Sequence, residues 1–294
     1  GESFSLTLYS GSTNQTKDIF KKQAELQIRI HALEKGMSIG HVRVGFGKEK
    51  AFSIIEDLED LLKKGGAKPF VVESVSVLQK YIEFNGNMGA DMVDVGTALN
   101  RLCSLYNIKI NDVGGIYNLN LKDISSKIQC SFDSFSQSRF SIRDFGDSPL
   151  EVEKVCAALK LCERTPSACN RQSWRVHVYT ENNLVAKMFE LQGGSKGFNK
   201  QMQCAILVCG DLRNYGFYEQ NLPFVDGGLY AMNLLYSLHY YGLATIPLTM
   251  GHKWRITKKI KQEMRIPSYE VPVLLIGVGT FKDDYKVAVS HRYM

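Results

Sequence analysis

Residues 164–180 read R-T-P-S-A-C-N-R-Q-S-W-R-V-H-V-Y-T, a polar loop that leads into an alternating segment. A loop of small polar residues runs from Arg164 to Ser173. At Trp174 the pattern changes to alternation, with Trp174, Val176 and Val178 set against Arg175, His177 and Tyr179. Alternation at every second residue predicts a strand over 174–180. Upstream, 149–163 suits a helix, with Pro149 near its first turn and Val152, Val155 and Leu159 on one side. Downstream, 204–209 (C-A-I-L-V-C) predicts a short buried strand. Residues 226–241 predict a helix with Leu229, Met232, Tyr236 and His239 on one stripe, and 243–248 and 272–279 predict further strands. Strands interleaved with helices imply a sheet covered by helices.

The first ~115 residues follow another rule. Phe52, Ile55, Leu58 and Leu62 recur at helical spacing, as do Val71, Val75, Leu78 and Ile82, and Val95, Leu99, Leu102 and Tyr106. These predict amphipathic helices over 48–64, 70–84 and 91–106 that share a core. A further helix is expected over 14–35, opened by Asn14 or Thr16 and stopped by Gly36. Residues 107–137 are polar and weakly periodic, which places a domain junction there. The expected domains are 1–125, a helical extension, and 126–294.

Composition narrows the class. The 294 residues are 44% apolar and 22% charged, which excludes a largely disordered, collagen-like or coiled-coil chain. The net charge of +6 is scattered and gives little support to nucleic-acid binding. Seven cysteines form no C-x-x-C pair, so reduced thiols in a cytoplasmic protein are expected. No apolar run reaches the ~20 residues of a membrane span.

Several motifs are set aside. Gly277-Val278-Gly279 lacks a third glycine and a following helix, so it reads as a strand-end turn. No P-loop and no G-x-S-x-G elbow occur. The six histidines form no H-x-x-x-H pair, and His177 and His239 read as structural, so no metal site is expected.

Three segments carry chemistry. R-F-S-I-R-D-F (139–145) sets two arginines four residues apart, with permanently charged donor forks suited to a phosphate or polarised carbonyl. Residues 166–174 bring backbone amides, Ser167, Asn170 and Gln172 to one sheet edge, a donor set for a flat heteroaromatic ring. S-H-R (290–292) adds a late arginine.

In this order, R-F-S-I-R-D-F, P-S-A-C-N-R-Q-S-W (166–174), D-G-G-L-Y-A-M-N-L-L (226–235), Y-G-L-A-T-I-P-L (241–248), I-G-V-G (276–279) and S-H-R resemble the FMN-dependent nitroreductase family over 138–294. His31–Gly36 and Gly45–Gly47 are similar to the helical extension of a subgroup associated with surface polysaccharide gene clusters.

The resemblance implies an α+β, three-layer α-β-α sheet fold with an all-helical amino-terminal extension. It implies an intertwined homodimer with FMN at the interface and NAD(P)H as electron donor. Arg139 would hold the phosphate and ribityl end, Ser141 would add a hydroxyl, and Arg143 would sit by the flavin N1 and O2 edge. Pro166, Ser167, Asn170 and Gln172 would line the ring from the partner subunit. Thr249 and Gly251 would lie near N5, Gly194 to Phe198 would flank the site, and Ser290 and Arg292 would reach the phosphate. No side-chain catalyst is implied, because the flavin carries the chemistry. The acceptor would be a nitroaromatic, a quinone or a similar small molecule. Alternatives are a flavin enzyme acting on a sugar, peptide or lipid intermediate, or a non-catalytic flavin-binding scaffold. The chain lacks the long helical insertion many relatives carry after the strand matching 204–209; the amino-terminal extension is expected to cover the site instead.

Overall fold

The computed structural model describes residues 19–66, 68–128, 131–215 and 219–292. The chain divides into two compact units, 1–117 with 286–294, and 118–285.

The first unit is helical: α1 (Ile19–Met37), α2 (Lys48–Lys63), α3 (Lys68–Asn87) and α4 (Val93–Tyr106). The expected stripes form its core. Leu58, Val71, Val75, Leu78, Val95, Leu99 and Leu102 are buried, joined by Leu26, Ile30, Leu33 and Met37 of α1. Burial of some twenty apolar side chains, at about 1.5–3 kcal/mol each against exposure, dominates the unit's stabilisation.

One expectation for α1 fails. The helix does not stop at Gly36 but continues to Met37. Gly36 is a packing glycine: a Cβ there would lie 2.2 Å from Cε2 of Phe46. The Phe46 ring packs edge-on against Tyr81 at 5.3 Å, so the missing side chain lets a loop aromatic sit on the helix. Asn14 and Thr16 lie outside the described residues.

The polar stretch 107–137 is more ordered than its composition suggests. It holds strand β1 (Ile116–Asn120), α5 (Leu121–Ile128) and α6 (Phe132–Ser138). β1 pairs with β6 (Asp284–Ala288) in a two-stranded sheet.

The second unit carries α7 (Val152–Leu161), β2 (Trp174–Tyr179), α8 (Asn182–Gln192), β3 (Cys204–Asp211), α9 (Leu222–Tyr240), β4 (Ala244–Thr249), α10 (Trp254–Glu263) and β5 (Glu270–Gly279). β2 to β5 form an antiparallel sheet in the order β2-β3-β5-β4. α7 and α9 cover one face, and α8, packed with α10, covers the other. This is a three-layer α-β-α arrangement. Central β3 is buried throughout, and Cys204, Ile206 and Val208 face Ala231, Leu234 and Leu238 of α9.

Four local expectations are corrected. Edge strand β2 does not alternate cleanly; most of its residues are half-buried, because one side has no neighbour strand. α7 starts at Val152, leaving Pro149 outside, and Val152 itself is exposed. Gly277 sits inside β5, where a Cβ would meet Met202, Ile246 and Phe189; packing, not a turn, requires glycine there. On α9 the buried face is Tyr230, Ala231, Leu234, Leu235 and Leu238, whereas Leu229 and Met232 are exposed. α9 is apolar nearly all round, so periodicity alone cannot tell its inner stripe from its outer one.

Candidate functional site

The arginine segment lies along the β4 edge of the sheet. Ile142 N–H donates to Thr245 O at 2.9 Å, and Gly146 N–H to Thr280 O at 2.8 Å. Phe145 is buried and occupies the space a Cβ on Gly279 would need. Its N–H donates to Gln201 Oε1 at 3.2 Å. These anchors fix the backbone carrying Arg139, Ser141 and Arg143.

Arg143 is only 7% exposed, and its Nη1 donates to Ser141 O at 3.3 Å. The neighbouring acid, Asp144, is engaged by Lys282 at 2.5 Å. Arg139 is half-buried and close enough to His239 to act on it. Burial, reinforced by the Arg139 charge, pushes the His239 pKa down to about 4. His239 therefore stays neutral at pH 7 and shares a 2.7 Å hydrogen bond with Ser138 Oγ. The local charge is set by two guanidiniums.

The second segment is built around an acid to which the sequence reading gave no role. Asp226, 2% exposed on α9, accepts Ala168 N–H at 3.0 Å through Oδ1. Its Oδ2 accepts Tyr215 OH at 2.8 Å and Ser173 Oγ at 3.1 Å. The loop adopts left-handed backbone at Cys169 (φ 51°) and Gln172 (φ 47°), conformations unusual for non-glycine residues. Ser167 Oγ accepts Gln172 N–H at 2.9 Å. Arg171 forks onto Glu219 at 2.8 and 2.9 Å and reaches Asn214 O at 2.7 Å. Pro166 and Gln172 are exposed and Ser167 is half-buried. Asn170 ends a short 3-10 turn. The loop is thus pinned from below and presents its tip outward. The available signal was a lone acid near the start of an otherwise apolar helix.

The third element is the end of β4. Thr249 is exposed, and its Oγ1 accepts Gly251 N–H at 3.2 Å. Buried Gln192 joins this end to the loop after α8, donating to Thr249 O at 3.0 Å and accepting Gly194 N–H at 2.7 Å. Ser195 Oγ and His252 Nε2, close by in sequence, are buried without hydrogen-bond partners. Buried polar atoms are normally satisfied, so both fit a polar ligand.

Within one chain these pieces are only partly brought together. Arg139, Ser141 and Arg143 run beside β4, one edge of the sheet; Thr249 ends that strand and Gly251 follows it. Pro166, Ser167, Asn170 and Gln172 lead into β2, the other edge. Three strand spacings, about 14 Å, separate the edges. Ser290 and Arg292 fall in the first unit, where Ser290 N–H donates to Glu34 Oε1 at 3.2 Å.

Residues 137–195 match the model of the nitroreductase family, a span containing both the arginine segment and the 166–174 loop. A protein of Archaeoglobus fulgidus assigned as an NADH dehydrogenase/NAD(P)H nitroreductase is 25% identical over 149 residues, 50% of this chain and 83% of its own length. A Parabacteroides distasonis structure with the same assignment is 26% identical, with a TM-score of 0.44 over 49% of this chain and 82% of that one. An FMN-dependent nitroreductase of Clostridium difficile is 21% identical, with a TM-score of 0.46 over 52% and 89%. Among the described residues, no helix is long and apolar enough to cross a membrane.

Proposed function

We propose that this protein is an FMN-dependent oxidoreductase that draws electrons from NAD(P)H and passes them to a small acceptor such as a nitroaromatic or a quinone. The observation that carries the reading is the pair Arg139 and Arg143, held on the β4 edge with their neighbouring acid committed to Lys282. Two guanidiniums of this kind suit a phosphate and an electron-rich ring edge. Charge-assisted hydrogen bonds from each contribute about 1.5–3 kcal/mol.

The residues present fit the cofactor. Arg139 and Ser141 would hold its phosphate and ribityl end, and Arg143 its N1 and O2 edge. Thr249 and Gly251 would stand near N5, and Ser195 and His252 would gain partners. When bound, FMN supplies the electron chemistry, and the protein supplies binding, orientation and charge. Neutral His239 adds no further positive charge beside Arg139.

The loop 166–172 belongs to the same site through a homodimer. One sheet carries the arginine pair at one edge and the loop at the other, so a second copy brings loop and arginines together. The outer face of α9 favours this assembly. Val225, Leu229 and Met232 lie at helical spacing and are all exposed. Such an apolar patch calls for a partner surface.

The reading is tested by anaerobic addition of NADH or NADPH to FMN-loaded protein, followed by nitroaromatics and quinones. Loss of flavin absorbance with the donor and its return with an acceptor are expected. Flavin that neither donor reduces would overturn the NAD(P)H assignment.

A further inference from the structure

On the α8 and α10 face of the sheet, away from the arginine segment, three side chains of different chemistry converge from three adjacent strands. His177 comes from β2, Cys209 from β3 and Glu270 from β5, and their ligand atoms lie within 4.8 Å of one another. His177 Nε2 and Glu270 Oε2 are 2.6 Å apart. Cys209 and Glu270 are buried, and His177 is half-buried.

The backbone is adapted to this meeting. β3 and β5 run in regular register from Cys204 to Val208, then slip between Val208 and Cys209, so that Cys209 pairs with Pro272. Such irregularities re-aim a side chain, often next to functional sites. The slip sits at the cysteine of the trio.

We infer that His177, Cys209 and Glu270 form a site for a borderline-soft divalent cation of the zinc class, with its fourth position open on the His177 side. The donor set is the first argument. One thiolate, one imidazole and one carboxylate are zinc's preferred ligands, whereas magnesium and calcium require oxygen. Charge is the second: a thiolate and a carboxylate carry two negative charges, which the ion neutralises. The nearby Lys261 ammonium is held by Ser268 O at 2.7 Å, outside the trio. Distance is the third. Zinc ligands lie about 2.0–2.3 Å from the metal, so closing the widest gap takes side-chain movement of about 1 Å.

Without metal, Glu270 accepts from both His177 and the Cys209 thiol, and burial holds that thiol protonated. On binding, the Cys209 sulfur–hydrogen bond gives way to a sulfur–zinc bond and the proton leaves to solvent. His177 moves its ring hydrogen to Nδ1 and coordinates through Nε2. Binding strengthens as pH rises, because a proton is released.

The test is zinc content and zinc-edge X-ray absorption of purified protein, dialysed first against zinc and then against metal-free buffer. The expected result is one zinc per chain with one sulfur neighbour at about 2.3 Å and nitrogen and oxygen at about 2.0–2.2 Å. Cys209→Ser is expected to lose the sulfur neighbour. Cys156→Ser and Cys169→Ser, at exposed thiols, are expected to keep it. His177→Gln is expected to keep the sulfur but weaken binding more than about tenfold; it serves where Cys209→Ser does not fold. No retained zinc, a shell of nitrogen and oxygen alone, or a sulfur neighbour that survives Cys209→Ser would overturn the assignment and leave a hydrogen-bonded trio. None of these readouts depends on flavin binding.

Discussion

The carboxylate of Asp226 accepts the backbone N–H of Ala168 at 3.0 Å, and this bond ties helix α9 to the loop that precedes β2. Its other oxygen serves Tyr215 and Ser173. One buried acid therefore sets the loop's shape from below. Asp226→Ala should remove the acceptor shared by half-buried Ala168 and Tyr215 and buried Ser173, and cost about 1–3 kcal/mol. Chemical denaturation measures this. FMN affinity should fall in the same variant with Arg139 and Arg143 untouched, since the loop loses its hold. A variant with unchanged stability would show that the three donors find other partners.

Arg139→Met and Arg143→Met should each weaken FMN binding about 10- to 150-fold, the equivalent of one charge-assisted contact. Fluorescence titration reads this directly. Equal affinity in both variants and the parent would remove the arginine pair from the site.

Two glycine substitutions should act in opposite directions. Gly36→Ala drives a methyl into the Phe46 ring and should destabilise by about 1–3 kcal/mol. Gly96, inside α4, has open space around its would-be Cβ. Gly96→Ala should stabilise by about 0.5–1 kcal/mol through helix propensity and unfolded-state entropy. Thermal unfolding of the two variants side by side separates packing from propensity.

Those glycines also show what could be read from the sequence. The four amphipathic helices were legible because their stripes are one-sided, and the sheet was legible from alternation and short apolar runs. Gly36 reads as a cap because glycine after lysine at a helix end usually is one; only the position of Phe46, ten residues on, reverses that. Gly277 misleads for the same reason, its partners Met202 and Phe189 being remote in sequence. α9 hid its inner face because both faces are apolar. At the site, the arginine segment stood out by spacing, whereas Asp226 did not, since its partners come from two distant loops.

Glu73 provides a pH test. Burial is the largest cause of its raised pKa, with the Glu34 carboxylate adding to it, and the value is pushed up to about 7. Its Oε2 is buried without a hydrogen-bond partner. Between about pH 4.5 and 7 the unfolded chain releases this proton while the folded chain keeps it, so folding weakens as pH rises through that window. Glu73→Gln should be more stable than the parent at pH 8, with the difference shrinking toward pH 4.5 and below. Denaturation midpoints across pH measure this, and a difference independent of pH would contradict it.

The exposed stripe on α9 makes an assembly prediction. Leu229→Lys with Met232→Glu should convert a dimer to monomers and lower FMN retention together, if both depend on the same contact. Light scattering during size exclusion gives the mass, and absorbance gives the flavin. Monomers that keep full FMN affinity would separate the site from the interface.

Flavin binding is measured most directly by equilibrium dialysis of the purified protein against FMN with absorbance detection. About one FMN should be retained per chain, and lost in the Arg139→Met, Arg143→Met double variant while its fold is preserved. A parent protein that stays colourless, or a double variant that binds as well as the parent, would contradict it.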